Sequence, residues 1–212
     1  RGRKEEKEKS EHLTLIKPSG GFSLNQFRDT LALVWSSPVV HGLMSGILIS
    51  DGKDTLPVTA TFRDSIRRTM YIHHPWKEET AYTLIIPDSV FTGVTGVQKD
   101  SVFLSFRTRA ERDFGNLLLK VSLPEWDGQY LIQLLSEQED KLFEQQVLNT
   151  SGELHFRHLA PGKYKIKSVK DRNRNFRWDT GNFYLSRQPE EVLYFPGTIE
   201  IRANWDVEEK WD

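Results

Sequence analysis

Short runs in which apolar and polar residues alternate recur along the whole chain, and most of them are closed by turn-forming residues. A period of two is typical of β-strands with one buried face, and no stretch keeps the 3.6-residue apolar period of a helix over three turns. In residues 101–108, for example, Val102, Leu104 and Phe106 fall on one face. The pattern therefore predicts an all-β protein.

The first half of the chain carries about seven such runs, which is typical of an immunoglobulin-like (Ig-like) sandwich. Leu31–Trp35 is apolar at every position and suits a central strand. This strand is expected to end before Pro38, because proline cannot donate a ladder hydrogen bond. Further strands are predicted at residues 43–50, 58–63, 68–73, 81–86 and 101–108.

A charged segment, residues 109–113, separates the first half from a second set of runs. The second set is predicted to form strands at residues 117–123, 130–135, 142–148, 153–158, 163–169, 191–195 and 198–204. We therefore predict two tandem β-sandwiches, one Ig-like over residues 12–108 and a second over residues 114–206. Residues 1–11 are expected to be a charged linker, residues 109–113 a linker, and residues 207–212 a loose acidic tail.

The composition removes several classes of function. The 212 residues include 29 basic and 30 acidic side chains, so the net charge of −1 gives no field that would favour nucleic acid. The chain has no cysteine, which excludes disulfides, thiolate metal sites and cysteine nucleophiles. The first residues lack the apolar core of a signal peptide, and we expect sequence upstream of Arg1.

Motifs for catalysis are missing from the sequence as well. No Gly-x-Ser-x-Gly elbow, phosphate-binding glycine loop or dinucleotide fingerprint occurs. The paired carboxylates Glu78-Glu79 and Glu190-Glu191 are expected to be solvated surface residues. We therefore expect no enzymatic activity and no catalytic residue.

Two blocks of sequence resemble known bacterial families. Residues 29–39 (DTLALVWSSPV), 76–87 (WKEETAYTLIIP) and 100–108 resemble the bacterial Ig-like domain first named in S-layer proteins. Residues 159–164 (LAPGKY), 171–182 (DRNRNFRWDTGN), 188–190 and 201–206 (IRANWD) are similar to the C-terminal part of Ig-like-domain proteins of Bacteroidota envelopes, whose last module is a transthyretin-like or carboxypeptidase-regulatory-like sandwich.

The resemblance implies a location more than a task. Such proteins are often lipoproteins, so an extracytoplasmic position in the periplasm or at the outer membrane and cell surface is expected, with membrane contact only through a lipid anchor upstream of this chain. The partner would be an envelope protein or a glycan. No catalytic residue is implied.

Five tripeptides of the form Asp-Ser/Thr-aliphatic are similar to the O-glycosylation acceptor of exported Bacteroidota proteins. The alternative is that Asp-Ser and Asp-Thr pairs simply begin strands. Their hydroxyl residues are Thr30, Thr55, Ser65, Ser89 and Ser101.

One loop has metal-ligand spacing. Asp171, Asn173, Asn175 and Asp179 place oxygen atoms at alternate positions of a calcium-type loop, and calcium is the one cofactor that the sequence suggests. Phe176 stands where such loops have glycine, and the neighbouring arginines disfavour a cation. The alternative is a hairpin loop in which Asn and Asp side chains bond their own backbone.

Other polar and aromatic groups allow weaker hypotheses. Neighbouring His73 and His74 point to opposite sides of a strand and suit packing better than a metal pair, and the spacing of His155 and His158 does not bring ligands together on a strand. Lysines alternate with buried residues in residues 163–167, either as a solvated face or as an anion-binding surface. Tryptophans near loops are either core residues or sugar-stacking platforms, namely Trp76, Trp126, Trp178 and Trp205.

These observations favour a non-catalytic structural or interaction module of an exported envelope protein, acting as a spacer, scaffold or partner-binding arm. A carbohydrate-binding module is the first alternative, and two or three tryptophans on one exposed face would favour it. A calcium-stabilised adhesin-type repeat is the second, and it depends on the Asp171 loop.

Overall fold

A computed structural model describes residues 12–124 and 128–212. Twenty short β-strands make up most of the described chain, and the helical segments among these residues are two 3-10 turns, Met44–Gly46 and Glu111–Asp113. The chain divides into two compact units between Ala110 and Glu111, inside the segment predicted as a linker. Each unit is a β-sandwich, so the predicted fold class is confirmed. The predicted N-terminal linker, residues 1–11, lies outside the described residues.

The first unit contains twelve strands, most of them three to six residues long. In chain order they are β1 (Leu15–Lys17), β2 (Phe22–Leu24), β3 (Leu31–Trp35), β4 (Val39–Gly42), β5 (Leu48–Ser50), β6 (Thr55–Pro57), β7 (Thr59–Phe62), β8 (Thr69–His73), β9 (Ala81–Ile86), β10 (Phe91–Gly93), β11 (Gly96–Val97) and β12 (Val102–Thr108).

Two sheets of the first unit enclose its core. Their strand orders are β1-β3-β8-β7 and β2-β12-β9-β5-β6, and a small third sheet has the order β11-β10-β4. β3 lies between β1 and β8, as expected of a central strand, and its Leu31, Leu33 and Trp35 are buried with Tyr82, Leu84 and Ile86 of β9 in one cluster, while Ala32 and Val34 are only partly buried. The stretch predicted as one strand over residues 43–50 is instead a 3-10 turn followed by β5, because the N–H groups of Gly46 and Ile47 bond the carbonyl oxygens of Leu43 and Met44 three residues back.

The second unit contains eight strands. They are β13 (Gly115–Val121), β14 (Gln129–Ser136), β15 (Leu142–Leu148), β16 (Gly152–Leu159), β17 (Gly162–Asp171), β18 (Val192–Tyr194), β19 (Ile199–Ile201) and β20 (Asp206–Trp211). One sheet has the order β16-β13-β20, and the other has the order β15-β14-β17-β18, with β19 also paired to β17.

The core of the second unit lies between these two sheets. Leu117 and Leu119 of β13 and Phe156 of β16 meet Ile132 of β14 and Ile166 of β17 in one buried cluster. The lysines of residues 163–167 point away from this cluster, as the alternation predicts, and Lys165 forms an ion pair with Glu139 at 2.8 Å. An ion pair with a partly exposed glutamate agrees with a solvated lysine face.

The prediction of a loose acidic tail over residues 207–212 is wrong. Residues up to Trp211 form β20, which pairs in parallel with β13 from Asn116↔Asp206 to Val121↔Trp211. Val207 and Trp211 pack against the core, and Glu209 lies partly buried between them on the same face, while Glu208 and Lys210 are exposed. Among the described residues, no helix is long and apolar enough to cross a membrane.

Candidate functional site

A long segment without regular strands, residues 172–191, joins β17 to β18 and is the most elaborately bonded connection of the second unit. Three carboxylates hold it: Asp171 at the end of β17, Asp179 in the middle and Glu190 at the far end. We call residues 172–191 the β17–β18 connection. The hydrogen bonds that these three carboxylates accept set the geometry of the connection.

Asp171 is fully buried and organises the first turn. Its carboxylate accepts a hydrogen bond from Gln129 Nε2 at 2.7 Å and two from the backbone N–H groups of Phe176 at 2.8 Å and Asn175 at 3.1 Å. Burial alone would raise the pKa of Asp171, but the hydrogen bonds together outweigh it and lower the pKa below its ordinary value. The group is therefore charged at neutral pH and fixed by three donors.

The turn places a non-glycine residue in a left-handed conformation. Phe176 has a φ of 63°, at the position where calcium loops use glycine, and Arg174 has a φ of 58°. This region costs about 1 kcal/mol or more for residues with a side chain. The bond from the Phe176 N–H to Asp171 compensates for that cost, so the carboxylate and the turn depend on each other.

Asp179 joins the two halves of the connection. Its Oδ2 accepts hydrogen bonds from Asn173 Nδ2 at 2.6 Å and Asn175 Nδ2 at 2.9 Å, and it also lies 3.2 Å from an Arg187 guanidinium nitrogen. Hydrogen bonds from Asn175 and Asn173, and then the charges of Arg177 and Arg187, lower the pKa of Asp179.

The predicted calcium ligands are thus brought together, but by hydrogen bonds among themselves. The amide oxygens of Asn173 and Asn175 accept hydrogen bonds from the backbone N–H groups two residues further on, those of Asn175 and Arg177, at 3.2 Å and 3.1 Å. Within residues 12–124 and 128–212, no group of three His, Asp or Glu side chains is arranged to hold a metal ion. This is the geometry of the hydrogen-bonded alternative, and calcium binding stays a prediction for solution measurement.

Glu190 corrects the sequence analysis. It was expected to be a solvated surface residue, yet it is only 5% exposed. Its two carboxylate oxygens accept hydrogen bonds from the backbone N–H groups of Arg172 at 2.8 Å and Asp179 at 3.0 Å. Its carbonyl oxygen accepts a hydrogen bond from Trp178 Nε1 at 3.0 Å. The two N–H donors lie eleven and eighteen positions from Glu190, so no local sequence pattern indicates this role.

A small hairpin projects from the connection. Asn182 and Arg187 exchange backbone hydrogen bonds at 2.8 Å and 3.0 Å, and Asn182 Oδ1 accepts the Leu185 N–H at 3.1 Å. The three residues at its tip, Phe183, Tyr184 and Leu185, are 93%, 94% and 71% exposed. Phe183 and Tyr184 are the two most exposed large hydrophobic side chains in the part of the chain that the structure describes. We call residues 182–187 the tip hairpin.

The other candidate residues of the sequence do not assemble into a site. His73 lies 2.8 Å from the Thr61 hydroxyl, whereas His74 packs against Trp76 and Tyr82, and burial lowers its pKa. His158 contacts Glu111 at 3.2 Å.

The tryptophans do not form a visible platform either. Trp178 and Trp205 are exposed, but the first lies in the β17–β18 connection and the second just before β20 of the other sheet. Trp76 belongs to an aromatic cluster with Tyr82 and Phe106. Trp126 lies outside the described residues.

The hydroxyl residues of the five Asp-Ser/Thr-aliphatic tripeptides are all exposed in the first unit. Their side chains are thus accessible, and their glycosylation stays a prediction.

Comparison with known proteins gives weak similarities. No protein-family model matches the chain, and neither does any curated protein. Among solved structures, the chain is similar to native alpha-2-macroglobulin from Escherichia coli spanning domains MG0-NIE-MG1, with 13% identity over 85% of this chain and 70% of that chain and a TM-score of 0.38.

Two further solved structures are similar over 94% of this chain. One is the N-terminal part of the bacterial S-layer protein SbsC, with 11% identity, 45% of that chain covered and a TM-score of 0.42. The other is the Bacteroides ovatus mixed-linkage glucan utilization locus SGBP-B in complex with mixed-linkage heptasaccharide, with 13% identity, 46% of that chain covered and a TM-score of 0.25. Similarities at this level carry no argument about the function of this chain.

Proposed function

We propose that the chain is a non-catalytic interaction module of an exported cell-envelope protein, and that it docks through the tip hairpin. The observation that carries this proposal is the near-complete exposure of Phe183 and Tyr184 on consecutive positions. Large apolar side chains clustered on a protein surface mark interaction sites more often than single exposed ones do.

The support beneath the hairpin favours docking over a passive loop. Arg187 at the base of the hairpin bonds Asp179, and Asp179 is bonded by its N–H to the buried Glu190. Docking groups bind more tightly when their conformation is fixed in advance, because less entropy is lost on binding. The three carboxylates thus hold an apolar tip in one conformation at the surface.

The extracytoplasmic location rests on the resemblance of residues 159–164, 171–182, 188–190 and 201–206 to proteins of Bacteroidota envelopes. The two sandwiches would then act as the partner-binding arm that presents the hairpin. A carbohydrate-binding module is less well supported, since Trp178 and Trp205 lie on segments of different sheets.

Binding to isolated bacterial cell envelopes tests the proposal. We expect the purified chain to bind envelopes, and a triple variant of the tip hairpin, Phe183→Ser, Tyr184→Ser and Leu185→Ser, to bind much less. Phe103→Ser is the control, because Phe103 is a single aromatic residue, 69% exposed, in the first unit. Equal binding by the triple variant would reject the tip hairpin as the docking element.

A further inference from the structure

Basic side chains outnumber acidic ones in and beside the tip hairpin. Residues 172–188 include four arginines, Arg172, Arg174, Arg177 and Arg187, and a single carboxylate, Asp179. Asp179 is turned inward, with its side chain only 18% exposed, whereas the side chains of Arg177 and Arg187 are 76% and 49% exposed. The surface beside the apolar tip is therefore cationic, although the protein as a whole is close to neutral.

The two arginines lie at the base of the hairpin. Arg177 Nε is 3.6 Å from Asp179 Oδ1, and a guanidinium nitrogen of Arg187 is 3.2 Å from Asp179 Oδ2. One carboxylate thus holds two guanidinium groups and neutralises only one of them. An apolar tip of aromatic and leucine side chains above a pair of guanidinium groups matches the order of layers in a lipid surface, where acyl chains lie beneath anionic headgroups.

The size of the tip also points to a lipid surface. A stable protein–protein interface needs about 800 Å² on each partner, contributed by about 20 residues or more. The tip hairpin presents a run of three exposed apolar side chains, far fewer residues than such an interface uses. Insertion into a bilayer needs no complementary surface, because its affinity follows from the apolar area buried and the charge attracted.

We propose that the tip hairpin inserts Phe183, Tyr184 and Leu185 into an anionic lipid surface, with Arg177 and Arg187 at the headgroup level. This inference rests on the proposed function and specifies the ligand of the same site. The second unit thereby contacts the bilayer directly, in addition to any lipid anchor elsewhere in the protein.

Flotation with lipid vesicles tests the inference on the full chain. Wild type is expected to float with vesicles of equimolar phosphatidylcholine and phosphatidylglycerol, and more weakly with phosphatidylcholine alone. The triple variant Phe183→Ser, Tyr184→Ser and Leu185→Ser is expected to lose about a thousandfold or more in affinity, since full burial of each of the three large side chains contributes about tenfold or more. Phe103→Ser should behave as wild type.

A second pair of variants separates charge from insertion. Arg177→Gln with Arg187→Gln should remove the preference for phosphatidylglycerol, and Arg177→Lys with Arg187→Lys should keep it, because only the charge is required. The chain has no cysteine, so Leu185→Cys accepts a single environment-sensitive fluorophore. Its emission should shift to the blue on vesicles, while the same label at Phe103→Cys should not shift.

Two results would overturn the inference. The first is flotation of the triple variant at the wild-type level. The second is wild type that binds neither vesicle. If wild type ignores vesicles but its binding to cell envelopes still depends on the tip hairpin, the proposed function stands and the ligand is a protein or a glycan.

Discussion

Replacement of Asp171 by alanine should destabilise the second unit strongly, because the buried carboxylate is the common acceptor of three donors. Gln129 Nε2 and the N–H groups of Asn175 and Phe176 all lose their partner in the variant. Hydrogen bonds to a charged group contribute about 1.5 kcal/mol each at the lower end, so the loss is about 4 kcal/mol. Asp171→Asn keeps the shape and one acceptor oxygen and should cost about half as much.

The pH dependence of this contribution has a defined sign. The folded-state pKa of Asp171 lies below its ordinary value of 3.8, so the stabilisation is complete above pH 3.8 and is lost as the pH falls through the folded pKa. The difference in unfolding free energy between wild type and Asp171→Asn should therefore shrink in acid.

Urea unfolding followed by hydrogen exchange and mass spectrometry measures these effects for each unit separately. The amides of β14 and β17 should exchange faster in Asp171→Ala, and those of β3 and β9 in the first unit should not change. A loss below about 1 kcal/mol at neutral pH would refute the reasoning, since it would mean that water replaces the carboxylate without penalty.

Three further predictions follow from single observations. In thermal unfolding with millimolar calcium and with excess chelator, we expect equal midpoints, because the loop oxygens already accept N–H groups; a calcium-dependent rise that Asp171→Ala with Asp179→Ala abolishes would establish a metal site. Gly115→Ala should lower the free energy of unfolding by about 1–3 kcal/mol in the same urea assay, since a Cβ there would lie 2.4 Å from the Arg202 carbonyl oxygen. Gly152→Ala is the control and should be nearly neutral, since its Cβ would lie 3.4 Å from the nearest atom, on Leu148. Tyr164→Phe removes the hydrogen bond from the Tyr164 hydroxyl to the Ala160 carbonyl at 2.7 Å and should cost about 1 kcal/mol in the same urea assay; an unchanged midpoint would contradict this.

Most strands of five or more residues were predictable from the sequence, because a run of that length is enough to show an apolar or alternating pattern. Leu31–Trp35, Ala81–Ile86 and Leu142–Leu148 have the predicted bounds. The short strands β1, β2, β4, β10 and β11 were not predicted, because two to four residues are too few to establish a period. β20 was mistaken for a tail since four of its six residues are charged, although Val207 and Trp211 alternate with them.

The site was predictable only where its bonds are local. The side chains of Asn173 and Asn175 bond the backbone two residues further on, which a sequence can suggest. The burial of Glu190 depends on N–H groups eleven and eighteen positions away. Phe183 and Tyr184 are exposed because no neighbouring strand of the described chain covers them. An apolar run by itself predicts burial, so their exposure could not be predicted from the sequence.

Hydrogen exchange of the full chain, free and bound to bacterial envelopes, shows whether the protein binds through the tip hairpin. We expect binding to protect the amides of residues 181–188 and to leave those of the first unit unchanged. Protection confined to the first unit, or to the outer faces of the sheets with the tip hairpin unaffected, would contradict it.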